Sequence, residues 1–405
     1  MGEGLIQNSR DNMKKSAWLI CLAYFLVCCG TDSNIQKLRV EEGKRFKGIN
    51  IKKIWEGELY GRLVLALPQG ILLDEIQDKV GKEHKLMLFD YNGNLIKEQI
   101  FVSGEGPNEI TVITLENVWL SPSGKIMCQD NNYLKTIDPE TFEIQTLEKI
   151  SNVVKGYGHE YTFGRQTPTC FEEREGRTVT TLESTGFFEN LTYYIASYEN
   201  VLENFSIICK TKKPMPFSWE KLMEREGESY TDYYYLSKIK RIFSVDWNRD
   251  DVYFIPDIEK PEINFVNLNT KQEGRYIIDI DNTNFSIDER ELEFYHEYVS
   301  NQTSSELKSY YKQILHIPPN APALMELKVI DDWLIIITGK RDWDKQENEA
   351  LVYKLPSLEY EGNFSIPYPN IFRTKWYDDY FIMQKLIKRN DDFFYYWEVY
   401  QIELN

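Results

Sequence analysis

The sequence predicts an all-β fold, a six-bladed β-propeller with short helical insertions. Most apolar segments from Leu59 onward are four to eight residues long, alternate, and end at Gly, Asn, Asp or Pro, the form of many short antiparallel strands. A turn phrase recurs along the chain, and no linker or composition break divides it. Aromatics make up 14% of the residues, and beside many β-branched residues they favour sheet over helix.

The N-terminus reads as an export signal. Lys14 and Lys15 precede an apolar run from Ala17 to Val27, too short for a stable membrane span. The acidic and polar residues before Met13 serve no export function, so translation is expected to start at Met13. In "LVCCG", Leu26 stands three residues before Cys29, the spacing of a lipobox. Residues 1–28 are then the signal peptide, Cys29 the lipidated residue, and 29–48 a lipidated tether. Each buried acyl methylene adds about 0.8 kcal/mol, so a multiply acylated Cys29 would anchor the chain. Gly30 lacks the aspartate that retains some lipoproteins at the inner membrane, so the expectation is an exported protein on the outer membrane.

The propeller is expected over residues 49–405. Four turns carry the repeat: Phe89–Gly93, Ile137–Thr141, Val266–Thr270 and Tyr353–Ser357, each followed by a resumed apolar strand. "YIASYENVLENF" is a fifth, poorer copy, and "YYWEVYQIEL" a sixth third-strand without its partner. Upstream lies a second phrase, as in "VWLSPSGKIMCQD", "FSVDWNRDDVYFIPD", "LKVIDDWLIIITG" and "TKWYDDYFIMQKL". The two phrases are expected to mark the middle and outer hairpins of a four-stranded blade. A lone twisted sheet cannot bury both faces and must pack between neighbours, so such repeats imply a ring. The reference points Asp90, Asp138, Ser197, Asn267, Lys354 and Tyr400 lie 48, 59, 70, 87 and 46 residues apart. Helical insertions at Phe217–Glu226 and from Ser286 to Leu315, the latter with two capping boxes, absorb the longer intervals. "INIKKIW", from Ile49 to Trp55, is the strand expected to complete the last blade. The competing architecture is a pair of β-sandwiches.

The formal charge of −17 becomes −18 when residues 1–28, with three basic and two acidic side chains, are removed. So acidic a body repels nucleic acid and anionic head groups, and no nucleic-acid partner is expected. Cys128, Cys170 and Cys209 are odd in number and widely spaced, neither a disulfide framework nor a zinc site. One disulfide with a free thiol, or three buried thiols, both fit.

"FVSGEGPNEI" (Phe101–Ile110) superficially suggests a phosphate loop. No Lys-Ser or Lys-Thr follows, Pro107 has no amide to donate, and no helical pattern starts after Ile110. It reads instead as the linker from the outer strand of blade 1 to the inner strand of blade 2, with Gly104 and Gly106 permitting positive φ and Pro107 fixing direction. Together with "LFDYNGNLI" and "VWLSPSGKIMCQD", this stretch resembles the Gly-x-Gly-Pro-x-Glu linker (here Gly104, Gly106, Pro107 and Glu109) of the six-bladed β-propeller lipoproteins of Bacteroidetes, of NHL-type and TolB-like build. Asn108 replaces the family's usual second glycine, and the third and fourth blades match poorly. The resemblance implies a fold and an exported lipoprotein, and nothing catalytic.

Candidate chemistry is sparse. His84, His159, His296 and His316 share no local pattern, and no nucleophile elbow appears. Asp279, Asp281 and Thr283 imitate an EF-hand start, but Asn284 and Arg290 stand where glycine and glutamate are needed. The pairs Asp250-Asp251, Asp331-Asp332, Asp378-Asp379 and Asp391-Asp392 read as hairpin turns unless they converge on one channel mouth. Exposed aromatics in "YTDYYYLSKIKRIF" and "DDFFYYWEVY" (Tyr233, Tyr234, Tyr235, Tyr395, Tyr396, Trp397) are candidate binding residues, set against burial between blades. No metal or cofactor is assigned. The functional expectation is a membrane-tethered, non-catalytic binding module for an envelope protein or glycan. The alternative is a metal-dependent lactonase- or lyase-like enzyme.

Overall fold

The computed structural model describes residues 35–405 except 59–61, 77–82, 105, 107, 112–117, 122–123, 131–132, 150–160, 163–170, 185–191, 200–202, 213–241, 258–259, 281–284, 287, 291–292, 295–296, 298–319, 322, 369–373 and 391. Among the described residues the strands form six blades in sequence order, each built on an antiparallel meander, and a separate two-stranded sheet pairs Phe285–Ser286 with Asn320–Ala321. Blade 1 comprises Arg62–Leu67, Gly70–Ile76, Glu83–Phe89 and Leu95–Val102; blade 2 comprises Val118–Leu120, Ile126–Asp130, Tyr133–Ile137 and Ile144–Lys149. Blade 3 has a broken inner strand, Tyr161–Thr162 and Phe171–Arg174, both paired with Arg177–Ser184, followed by Thr192–Glu199 and Glu203–Lys212. Blade 4 is Phe243–Asp246, Asp251–Phe254, Glu262–Asn267 and Glu273–Asp279; blade 5 is Leu324–Ile330, Trp333–Asp342, Glu347–Lys354 and Glu359–Pro367. Blade 6 takes Thr374–Tyr377, Tyr380–Arg389 and Asp392–Leu404 from the C-terminus and Ile49–Glu58 from the N-terminus.

This is a six-bladed propeller, closed by pairing Ile49 with Leu404 through to Glu58 with Tyr396. The core lies between blades rather than inside one. One apolar cluster joins blades 6, 1 and 2 and reaches Ala196 of blade 3, a second joins blades 4 and 5, a third blades 5 and 6, and a fourth blades 3 and 4. Inner strands such as Leu63–Leu67 are therefore buried on both faces and read as continuous apolar runs. The recurring turn is the outer hairpin of blades 1, 2, 4 and 5. Asp90 Oδ1 accepts from the amides of Asn92 and Asn94, Asp138 Oδ1 from Glu140 and Thr141, and Asn267 Oδ1 from Asn269 and Thr270. These are Asx turns, which explains an Asp or Asn at fixed phase. The second phrase marks the inner hairpin, not the middle one, because each copy spans the first two strands of its blade.

The N-terminal segment is a belt. Ile35–Arg39, within the stretch expected as a tether, adds a parallel fifth strand to blade 4. The chain then crosses blade 5, where the Phe46 amide donates to the Asn363 carbonyl at 2.9 Å, and enters blade 6. Gly362, at φ +142°, admits this crossing: a Cβ there would lie 2.5 Å from the Phe46 nitrogen. Cys128 and Cys209 are free thiols, and burial raises the pKa of both. Cys170 and the insertion at 217–226 lie outside the described residues; in the other insertion, Glu289, Arg290, Glu293, Phe294 and Glu297 are helical. Among the described residues no helix is long and apolar enough to cross a membrane.

Candidate functional site

Alternation of strand direction places the blade-to-blade linkers on one face of the ring and the inner and outer hairpin turns on the other. On the linker face, the stretch from Gly104 to Thr111 folds into a knot around Glu109. The Gly106 amide donates to Glu109 Oε2 at 2.8 Å, and the Thr111 hydroxyl to the Gly104 carbonyl at 3.0 Å. Neither glycine adopts the left-handed region, so the expected reason for them is corrected: a Cβ on Gly104 would lie 2.1 Å from Glu109 Oε2, and one on Gly106 2.8 Å from the Glu109 carboxyl carbon. They are needed for space, because the Glu109 carboxylate folds back over the turn.

Beneath the knot, Lys135 and Asp130 of blade 2 form a fully buried ion pair at 2.7 Å. Lys135 Nζ also donates to the Glu109 carbonyl at 2.6 Å and the Gly106 carbonyl at 3.3 Å, while Asp130 Oδ1 accepts from the Thr111 amide at 3.0 Å. Sequence reasoning missed this pair, although a lysine between Leu134 and Thr136 in an otherwise buried strand was its signal. Pro107 lies outside the described residues.

Polar bridges cross the inner strands. The Tyr377 hydroxyl of blade 6 shares its proton between the carbonyls of Val64 in blade 1, at 3.2 Å, and Val118 in blade 2, at 3.4 Å. On the opposite side the Ser244 hydroxyl of blade 4 donates to Glu172 Oε1 of blade 3 at 2.7 Å and accepts from the Val329 amide of blade 5 at 2.9 Å. Glu172 Oε2 takes the Val245 amide at 3.0 Å. Between blades 6 and 5 the Thr374 hydroxyl donates to Glu326 Oε2 at 3.3 Å. All six blades are thus joined by polar bridges whose charged members are buried, where an unmatched group would be costly.

His84 is the one expected histidine among the described residues. It is buried, with Nδ1 3.0 Å from Asp74 Oδ1 in the same blade. Asp74, with Asp130, acts electrostatically on the nearby Cys128 thiol, whose pKa is raised chiefly by burial. Among the described residues no group of three or more His, Cys, Asp or Glu side chains could hold a metal ion. Asp281, Thr283 and Asn284 of the EF-hand-like stretch lie outside the described residues.

Three acidic pairs do share a face, in the inner hairpin turns of blades 4, 5 and 6. Asp250, Asp331 and Asp378 each take left-handed φ, which Asp tolerates better than most residues. Two of these turns form a rim of cross-blade ion pairs. Arg177 of blade 3 reaches Asp250 at 2.7 Å, and Arg249 of blade 4 reaches Asp332 of blade 5 at 3.0 Å while holding Asp246 at 2.7 Å. In blade 6, Asp379 accepts from Gln401 Nε2. Asp391 lies outside the described residues.

Between the turns of blades 3 and 4 the rim opens into a cleft of about 460 Å³, walled by Arg174, Arg177, Glu199, Trp247, Asn248 and Asp250. The Glu175-Gly176 turn has both residues at positive φ, the type I′ geometry that suits a two-residue hairpin. The opposing turn is fixed by Asp246, which accepts from the Asn248 amide at 3.0 Å and from Arg249.

Of the aromatic candidates, Trp397 is 3% exposed and belongs to the core between blades 6, 1 and 2. Tyr396 is half-buried beside Glu56 and Glu398, burial being the main cause of its raised pKa. Tyr233, Tyr234, Tyr235, the side chain of Tyr395, and Cys29 lie outside the described residues.

No family model matches the sequence, and a search of curated proteins finds no match. Among solved structures, the chain is similar to regucalcin, a calcium-binding protein from Agrobacterium tumefaciens str. C58, with TM-score 0.39 and 8% identity over 89% of this chain and 96% of that one. It is similar also to a putative 6-phosphogluconolactonase from Bacteroides uniformis ATCC 8492, with TM-score 0.35 and 9% identity over 75% and 70% of the two chains. The β-propeller domain of the Trilobed protease from Pyrococcus furiosus gives TM-score 0.32 and 13% identity over 84% and 83%. Likenesses this distant carry no argument about chemistry, and the propeller assignment rests on the sheet order itself.

Proposed function

We propose that this chain is an exported, lipid-anchored protein whose propeller is a non-catalytic binding or interaction module for an envelope protein or glycan. The observation that carries the reading is the use of the inner-strand polar groups: Tyr377, Ser244, Glu172, Thr374 and Glu326 are committed to holding the blades together. What remains for recognition is the turns, the rim and the blade edges. An acylated Cys29 lies six residues before Ile35, on the outer edge of blade 4, a span of about 20 Å at most. The anchor then meets the ring at its circumference.

The test is isolation of the protein from its native envelope after mild crosslinking. A protein or glycan recovered reproducibly at near-equal amount supports the module; recovery of neither overturns it. Cys29→Ser should release the protein from the membrane fraction, and retention there would refute the anchor. The buried Asp74–His84 pair favours a second reading, a metal-dependent lactonase- or lyase-like enzyme. Stoichiometric divalent metal after dialysis would favour it.

A further inference from the structure

The cleft between the inner hairpin turns of blades 3 and 4 has a chemistry of its own, and we infer that it binds a neutral saccharide. The inference rests on the reading of the propeller as a binding module and gives that module a ligand class. Arg177, Glu199 and Asp250 in the wall are already matched, while Arg174 is held by a neutral amide with the exposed Glu175 carboxylate 3.9 Å from its Nε. Arg177 Nη1 holds Asp250 at 2.7 Å, Arg177 Nε lies 3.6 Å from Glu199, Arg177 Nη2 donates to Asn269 at 2.7 Å, and Arg174 Nη1 donates to Asn248 Oδ1 at 2.9 Å. At Arg177 a bare anion would have to take the guanidinium from its carboxylates, and a bare cation the reverse, so this part of the wall disfavours both. A hydroxyl displaces nothing: it donates to a remaining carboxylate lone pair and accepts from a remaining guanidinium N–H, and vicinal hydroxyls do so in pairs.

Half-buried Trp247 supplies the second requirement, an aromatic surface for the apolar face of a pyranose ring. Its backbone is held in advance by the Asp246 turn, which Arg249 ties to blade 5. The arginines are set by the type I′ turn at Glu175-Gly176. Little ordering is left to be done on binding. The volume, about 460 Å³, lies in the range of small-molecule sites.

The experiment presents the full-length protein to immobilised neutral oligosaccharides ending in glucose, galactose, mannose or N-acetylglucosamine, and to sialylated and sulfated counterparts. Binding to at least one neutral member is expected, weakened about tenfold or more by Trp247→Ala and severalfold by Asn248→Ala. Because Trp247 also packs on the core between blades 3 and 4, Arg174→Ala serves as a third variant whose fold is not at stake. No neutral binding, unchanged affinity in the folded variants, or preference for the charged counterparts would each overturn the inference. If a crosslinked envelope partner persists while saccharide binding is absent, this inference fails and the module reading stands; if wild-type protein binds saccharide but carries no protein partner, the ligand is the glycan itself.

Discussion

The Tyr377 hydroxyl lies 3.2 Å from the carbonyl oxygen of Val64, and Val64 is the extra residue of a β-bulge in the inner strand of blade 1. The bulge takes that carbonyl out of the ladder, and the tyrosine of the last blade satisfies it. Closure of the ring is thus written into the first blade as well as into the N-terminal strand. Tyr377→Phe should cost about 1–2 kcal/mol by urea unfolding, the value of a lost hydrogen bond plus an unmatched buried carbonyl. An unchanged midpoint would mean that the bridge contributes nothing.

The buried Lys135–Asp130 pair makes a sharper prediction. Asp130→Asn leaves a lysine ammonium uncompensated under the linker knot and should cost about 3–5 kcal/mol. Lys135→Met together with Asp130→Asn should recover part of that loss, because the double variant buries no lone charge. If the double variant is no better than Asp130→Asn alone, the hydrogen bonds to Gly106 and Glu109 matter more than the charge pair.

Gly104→Ala tests the crowding at Glu109. The new Cβ would press on Oε2, so a loss of about 1–3 kcal/mol is expected. Glu109→Ala in the same chain removes the obstacle, and the double variant should lose less than the two single losses combined. Strict additivity would show that the glycine is needed for some other reason.

Much of the ring was legible in the sequence because its turns use side-chain chemistry. Asp90, Asp138 and Asn267 had to be Asp or Asn to accept the amides of their own turns, so they recur in phase. The partnerless "YYWEVYQIEL" and the "INIKKIW" strand pair with each other as the third and outer strands of blade 6. The belt at Ile35–Arg39 was not legible, since a single short strand with one buried residue, Leu38, carries no periodic signal. The cross-blade contacts of Arg177, Ser244 and Tyr377 were equally hidden, because they join residues that are neighbours only once the ring has closed. Of the two alternatives held for the aromatic runs, burial between blades is the one Trp397 takes, because a blade is covered on both faces.

The belt prediction follows from Leu38, which is buried between blades 4 and 5 beside Tyr253 and Ile278. Leu38→Ala should cost about 2–4 kcal/mol of local stability and raise amide exchange along Arg275–Asp279, while the pairing of blade 6 stays protected. Uniform loss of protection would instead make the belt part of one cooperative ring.

Acid should open the ring at blade 6. Burial disfavours ionised Glu398, but hydrogen bonds from Lys385, Lys53 and Tyr400 outweigh it and hold its pKa below the ordinary 4.5. Lys53 lies on the N-terminal strand and Glu398 on the C-terminal one, 2.9 Å apart, so this carboxylate helps to hold the two ends of the chain together. A depressed folded pKa means stability that is present in full above the unfolded value and is lost as pH falls through the folded one. Stability should therefore decline below pH 4.5, with exchange at Ile49–Glu58 rising before that of blade 1. Glu398→Gln should be less stable at neutral pH and show a shallower decline in acid; a variant with the wild-type acid slope would assign the acid sensitivity to other carboxylates.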